Sequence, residues 1–207
     1  MPKVIDLTQN INKNMDVHPY DEKIKLYQDK KLKNDGYNNY RLEIGMHAGT
    51  HIDTPMHMID SNKYIKDYSL DKFIGSGVLL DVRGESVIKY KSKYDKIINV
   101  NDIVLLYTNH SKNFGSKEYY EDYPVVDEKL AEYFKDKGIK ILGMDSPSPD
   151  KTPFEVHKIL FDKNIFIIEN LTNLDKLLDV NKFEVIALPL KIKADSSIAR
   201  VIAKIVN

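Results

Sequence analysis

The chain of 207 residues contains no cysteine and no tryptophan. Without cysteine there is no disulfide framework, no thiolate nucleophile and no sulfur-rich metal site. Long apolar runs are missing too. A stretch such as Ile165 to Ile168 falls far short of the roughly 20 residues that span a bilayer, so no membrane helix is expected. Neither sign of charge is in excess. Lys plus Arg and Asp plus Glu number 31 each, and the short basic stretches "KDKGIK" and "KYKSKYDK" are broken by acids or tyrosines. No basic field is left to draw in nucleic acid. The opening "MPKVIDLTQN" lacks the basic start and long apolar stretch of a secretory leader, so a cytoplasmic protein is expected. No repeat and no Pro/Ser/Gly-rich linker divides the chain, and residues 1–207 read as one domain.

What is present is a run of strand and helix signals. "KVIDLT" reads as a first strand. "KIKLYQDKKLKNDGYNNYRLEIGMH" alternates apolar and polar residues around Asn34-Asp35-Gly36, a hairpin-turn signal. In its second arm Tyr40, Leu42, Ile44 and Met46 share one parity and should face the core. The uniformly apolar stretches "GVLLDV", "DIVLLYT", "IKILGMD", "NIFIIEN" and "FEVIALPL" read as strands buried on both faces. Between them, Asp127 caps a helix over "EKLAEYFKDK" that Gly138 stops. Ser69 caps a shorter one over "LDKFIG", and Pro153 opens a third, "PFEVHKILFDK". Strands alternating with helices after an antiparallel start indicate an α/β domain with a mixed β-sheet.

The chemistry concentrates in "HAGTHIDTPMH", residues 47–57, which holds three of the six histidines and an aspartate. Gly49, Thr50, Ile52, Thr54 and Pro55 weigh against a helix there. His47, His51, Asp53 and His57 all fall on odd positions, so an extended backbone turns them to one face, away from the core-facing residues upstream. Imidazoles with a carboxylate are ligands that suit a divalent ion, Zn or Mn. Further on, His157 lies on the apolar face of the third helix, and Glu169 ends the strand "NIFII". Taken singly, these two read as a core histidine and a strand-end acid. Helix, turn and strand nevertheless bring both within reach of one cleft. Asp145 and Ser148 in "GMDSPSPD" read either as supports of that site or as turn caps. Thr108, Asn109 and His110 read either as cleft lining or as a solvated loop.

"HAGTHIDTPMH" resembles the H-x-G-T-H-x-D-x-P-x-H signature of the metal-dependent cyclase family, to which bacterial kynurenine formamidases and isatin hydrolases belong. The likeness continues in "IDLTQNI", "GMDSPSPD", "HKILFDKNIFIIENLTNL", "ALPLKI" and "ARVIA", and so covers nearly the whole chain. It implies a swivelling β/β/α fold, a homodimer or homotetramer, and one or two divalent ions per subunit. By the resemblance, His47, His51, Asp53, His157 and Glu169 are the metal ligands, Asp53 can bridge two ions, and His57 is the catalytic base. Glu169 is an alternative base. In place of the family's amino-terminal tryptophan segment this chain has "MDVHPYDEK", which puts His18 and Tyr20 forward as substrate-binding residues.

A divalent ion and a neutral imidazole together suit hydrolysis of a small amide. The expected activity is that of an amidohydrolase acting on an aryl formamide such as N-formylkynurenine. The alternatives are a hydrolase for another small cyclic amide or lactone, and a divalent-metal-binding protein without turnover.

Overall fold

The computed structural model describes residues 3–206. Among these residues twelve strands and four α-helices follow one another. They are β1 (Val4–Asp6), β2 (Lys25–Lys30), α1 (Leu32–Asp35), β3 (Asn39–Glu43), β4 (His51–Asp53), β5 (Ile74–Asp81), β6 (Val87–Ile88), β7 (Ile103–Tyr107), α2 (Lys117–Glu121), β8 (Val125–Val126), α3 (Glu128–Lys137), β9 (Ile141–Met144), α4 (Glu155–Asp162), β10 (Phe166–Glu169), β11 (Phe183–Pro189) and β12 (Ser196–Ile205). Among the described residues no helix is long and apolar enough to cross a membrane.

Eight strands form one mixed sheet in the order β1-β12-β11-β5-β7-β9-β10-β4. The long β12 bends this sheet into a barrel. Its first residues pair with β4 and its later ones with β11, so the two ends of the sheet meet. Strands β5, β7, β9 and β10 are parallel neighbours, and successive side chains on them enter two different cores. Ile103, Leu105 and Tyr107 of β7 join Ile52, Phe166, Ile168, Val185 and Val201 in the cluster enclosed by the ring. Val104 and Leu106 face Leu130 and Phe134 of α3 and Leu160 and Phe161 of α4. Burial on both faces is why these strands are uniformly apolar.

The signals at α3 operate as expected. Asp127 accepts a hydrogen bond from Lys129 N at 3.0 Å, and Gly138 takes a left-handed φ of 71° after the last turn. Other expectations need correction. The Ser69 segment is a single 3-10 turn, Leu70–Phe73, without a side-chain cap, and Ile74 and Gly75 already belong to β5. Pro153 precedes the third helix instead of opening it: Phe154 is left-handed at its N-cap, and the helix begins at Glu155. The β2–β3 hairpin turns through α1 and a left-handed Gly36, not through a tight two-residue turn. Its second arm is not a core element. Tyr40 is 62% exposed and Leu42 47%. Only the base of that face is covered, where Leu26 and Ile44 pack against Met15, Ile24 and Ala48. A two-stranded ribbon needs a further layer to bury a face, and among the described residues none covers Tyr40 and Leu42.

Candidate active site

Strand β4 lies between β10 and β12, and its register builds the site. His51 stands directly opposite Glu169 across the β4–β10 ladder, and Asp53 directly opposite Ser196 across β4–β12. Residues directly opposed on antiparallel strands project to the same face, which brings His51 Nε2 to 3.3 Å from Glu169 Oε2. Asp53 points to that face too, two residues on, with Oδ2 3.5 Å from His51 Nε2. The strand itself spans only these three residues. Gly49 takes a left-handed φ of 66° just before β4, and Pro55–His57 form a 3-10 turn just after it. These two bends fold His47 and His57 back over Asp53, with their ring centroids 4.2 Å apart. The first turn of α4 supplies His157, whose Nε2 is 3.6 Å from Glu169 Oε1.

The structure thus brings together all six residues that the signature and its downstream partners put forward. They form two groups that share one carboxylate. Donor atoms of His51, Asp53 and Glu169 lie within 4.8 Å of one another, and so do those of His47, Asp53 and His57. His157 closes the first group from the helix side. Asp53, His51 and His157 are at most 2% exposed.

Two atoms test whether an ion fits here. His51 Nε2 and Asp53 Oδ1 are buried and without any hydrogen-bond partner. Asp53 Oδ1 lies 2.9 Å from His47 Nδ1 yet out of hydrogen-bond alignment with it. A buried polar atom without a partner costs about 1–3 kcal/mol, and buried charges are normally paired or bound to metal. Donor atoms that crowd together without bonding to each other are arranged around a shared third point. The donor set of imidazoles and carboxylates suits Zn or Mn.

The outer atoms of the rings are tethered. His51 Nδ1 donates to Gly49 O at 2.8 Å, and Asn170 Nδ2 donates to the same carbonyl at 2.9 Å. His157 Nδ1 donates to Asp150 Oδ1 at 2.6 Å, while Asp150 Oδ2 accepts from the backbone N–H groups of Val156 and His157. His57 Nδ1 donates to Asp195 Oδ2 at 3.0 Å. His47 Nε2 lies 3.1 Å from Ser196 Oγ and 3.4 Å from the same Asp195 oxygen. Such tethers fix which ring nitrogen is free to ligate.

Electrostatics follow the crowding. Burial opposes charge on His47, but the adjacent carboxylates of Asp195 and Asp53 overcome it and raise the imidazole to about 10. His157 is likewise raised to about 9: burial works against it, and the hydrogen bond to Asp150 and the nearby carboxylate of Glu169 prevail. Asp53 and Glu169 stay below the usual carboxylate range. Burial pushes both up, and the neighbouring histidines outweigh it. Hydrogen bonds from His47 and His57 hold Asp195 well below that range.

The site floors a cleft of about 550 Å³. Its walls are aromatic, with His18, Tyr20, Tyr120, Tyr123 and Phe154, and Lys151 adds a cation. His18 packs edge-on to Tyr120 at 5.6 Å and tilted on Tyr20 at 5.3 Å. Of the weaker sequence candidates, Ser148 lines the cleft. Asp145 does not reach the ligands; its buried carboxylate accepts from Thr108 N, Thr108 Oγ1 and Ser111 Oγ and ties two strand ends together. Thr108 and His110 neither line the cleft nor face solvent. His110 is buried, stacked on Tyr119, with Nε2 donating to Tyr119 O at 2.9 Å. Asp150 and Asp195 are not foreseen from the sequence. Asp150 had a usable signal, an acid shortly before a helix start; Asp195 is 138 positions from His57 and had none.

The sequence matches the family described as putative cyclase over residues 5–151. It is 30% identical over 206 residues to the kynurenine formamidase of Bacillus cereus, covering 97% of this chain and 96% of that protein. The kynurenine formamidase of Bacillus mycoides matches at the same identity and coverage. Among solved structures, a potential metal-dependent hydrolase with cyclase activity superposes with a TM-score of 0.79 at 27% identity, over 100% of both chains. An isatin hydrolase bound to the product analogue thioisatinate superposes with a TM-score of 0.89, covering 100% of this chain and 93% of that one. At 22% identity the latter speaks for the fold alone. The chain therefore belongs to the putative cyclase family, and within it is a metal-dependent hydrolase.

Proposed function

We propose that this protein is a cytoplasmic amidohydrolase that cleaves the C–N bond of an aryl formamide, with N-formylkynurenine giving kynurenine and formate as the specific reaction. One observation carries the reading: two partnerless buried donor atoms, His51 Nε2 and Asp53 Oδ1, at the floor of an aromatic-walled cleft. His47, His51, Asp53, His157 and Glu169 would hold one or two divalent ions. A bound ion supplies acidity to water and polarises a carbonyl.

The chain's own residues do the rest. Tyr120, Tyr123 and His18 offer ring faces and edges to an aromatic substrate. His57, with Nδ1 committed to Asp195, keeps Nε2 as its proton acceptor. That nitrogen takes the proton of the attacking water and returns it to the leaving aniline nitrogen as the C–N bond breaks. An imidazole with one nitrogen held and the other free suits both transfers.

Support also comes from the relatives named kynurenine formamidase. A second reading, hydrolysis of a cyclic amide or lactone, is favoured by the cleft mouth, where His18 and Tyr20 present less apolar area than an indole would. A homodimer or homotetramer suits the uncovered face of Tyr40 and Leu42, and sedimentation velocity tests it.

The activity test is ultraviolet-monitored hydrolysis of N-formylkynurenine by protein reconstituted with Zn or with Mn, beside a chelated control. The proposal expects chelator-sensitive turnover with kcat/KM of about 10⁴ M⁻¹s⁻¹ or more. Trace turnover with metal bound, together with ready hydrolysis of a lactam or lactone panel, would replace the substrate by the second reading.

A further inference from the structure

The loop before β12 carries a carboxylate that the ligand set does not use. Asp195 is fixed in place from both sides of its own backbone. Its carbonyl accepts from Thr54 N at 3.2 Å and from Thr54 Oγ1 at 2.6 Å, and the carbonyl of Ala194 accepts from Ile65 N at 2.9 Å. Thr54 lies between the ligand strand β4 and the 3-10 turn that ends in His57. One residue of the signature therefore clamps Asp195 against another. Ser196 Oγ donates to Asp195 Oδ1 at 3.3 Å, which leaves Oδ2 to face the histidines. Oδ2 stands 3.0 Å from His57 Nδ1.

We infer that Asp195 is the positioning residue of this hydrolase: it holds His57 as the Nδ1–H tautomer, so that the Nε2 lone pair faces the cleft as the proton acceptor. This rests on the hydrolase reading given above. An ionised carboxylate only accepts hydrogen bonds, so the Nδ1 it touches must carry the proton. The neutral ring then has its lone pair on Nε2, the arrangement that a general base of this kind needs. His57 itself is a quarter exposed in its side chain, and its ring lies tilted against His47 at 4.2 Å and more distantly against His157 at 6.4 Å. Within this cluster, Asp195 is the group that sets both its rotation and its tautomer. The contact of 3.4 Å to His47 Nε2 is longer and is shared with Ser196 Oγ, so His47 keeps a partner when Asp195 is lost.

The experiment compares wild type, Asp195→Ala and the equal-sized Asp195→Asn as metal-loaded proteins. Three quantities are read: bound metal by elemental analysis, kcat and KM for the amide substrate, and ¹⁵N-histidine NMR for the His57 tautomer. Asp195→Ala should keep its metal, keep KM within about twofold, and lose about 10²–10³ in kcat, with the His57 signals moving toward a tautomer mixture. Asp195→Asn, whose amide oxygen can still accept from Nδ1–H, should fall between the two. Unchanged His57 signals, or kcat within about threefold of wild type in a metal-loaded Asp195→Ala protein, would overturn the inference. Loss of metal together with activity would also overturn it, by making Asp195 a support of His47. If wild type itself hydrolyses no amide, the functional reading fails, while the tautomer measurement still decides the role of Asp195.

Discussion

Replacing Asp150 by alanine should weaken the protein in two separable ways, because one carboxylate does two jobs. Its Oδ2 accepts from Val156 N at 2.7 Å and His157 N at 3.2 Å, capping the free N–H groups of α4. Its Oδ1 holds His157 Nδ1 at 2.6 Å and so aims Nε2 at Glu169. Loss of a capping oxygen costs about 0.5–2 kcal/mol. Loss of the orienting partner of a ligating imidazole lowers metal affinity by about 10–100-fold, or about 1.4–2.7 kcal/mol. Measured above about pH 9, where His157 has released its extra proton, metal-free Asp150→Ala should therefore lose little beyond the first amount, and in the presence of the ion the deficit should grow to about 2–5 kcal/mol. Urea denaturation with and without Zn, together with chelator competition for affinity, measures both quantities. Asp150→Asn, which retains a capping oxygen, should lose less stability. A deficit of the same size with and without the ion, or wild-type metal affinity in Asp150→Ala, would refute the reasoning.

Other consequences follow from the same geometry. In the metal-free protein His157 is held up to about 9 and His47 to about 10, so the folded state binds protons that the unfolded chain, near 6.5, has released. That stabilisation is complete below about pH 6.5 and is lost as pH rises through about 9; denaturation of the metal-free protein across this range checks the sign. An ion must displace these protons, so its affinity should rise with pH over the same window. Calorimetry in buffers of different ionisation enthalpy should find protons released, and none would contradict the assignment. Gly77→Ala should cost about 1–3 kcal/mol by overpacking, because its Cβ would run into the ring of the buried Phe183; an unchanged urea midpoint would show that Phe183 can swing aside. Tyr120→Ala should raise KM for an aryl substrate by about 2–12-fold, the worth of one ring contact, with kcat little changed. Equal loss in kcat would give Tyr120 a different role.

Local chemistry made much of this molecule legible in advance. Asp127 and Gly138 mark the ends of α3 through hydrogen bonds within a few residues, and both act as their types suggest. The buried parallel strands were readable because burial on both faces leaves no polar positions. The signature residues were readable because one short strand and two flanking bends hold His47, His51, Asp53 and His57 together. What stayed hidden depends on closure in space. Asp195 reaches His57 only because β12 returns to pair with β4. Strand β12 carries only a weak local signal, Ala199, Val201 and Ala203 alternating with Arg200 and Lys204 as in a half-buried strand. Tyr40 and Leu42 mark the opposite limit: an alternating pattern names the apolar face but not whether anything in the same chain covers it.

The most direct measurement is equilibrium dialysis of wild type and Asp53→Ala against Zn and against Mn, followed by elemental analysis of the protein. Asp53 is the carboxylate common to both donor groups, and one of its oxygens is buried without a partner. Wild type should retain one or two ions per chain, and Asp53→Ala, still folded by circular dichroism, should retain none. Full ion content in the variant, or none in wild type, would contradict the claim that this cluster is a metal centre.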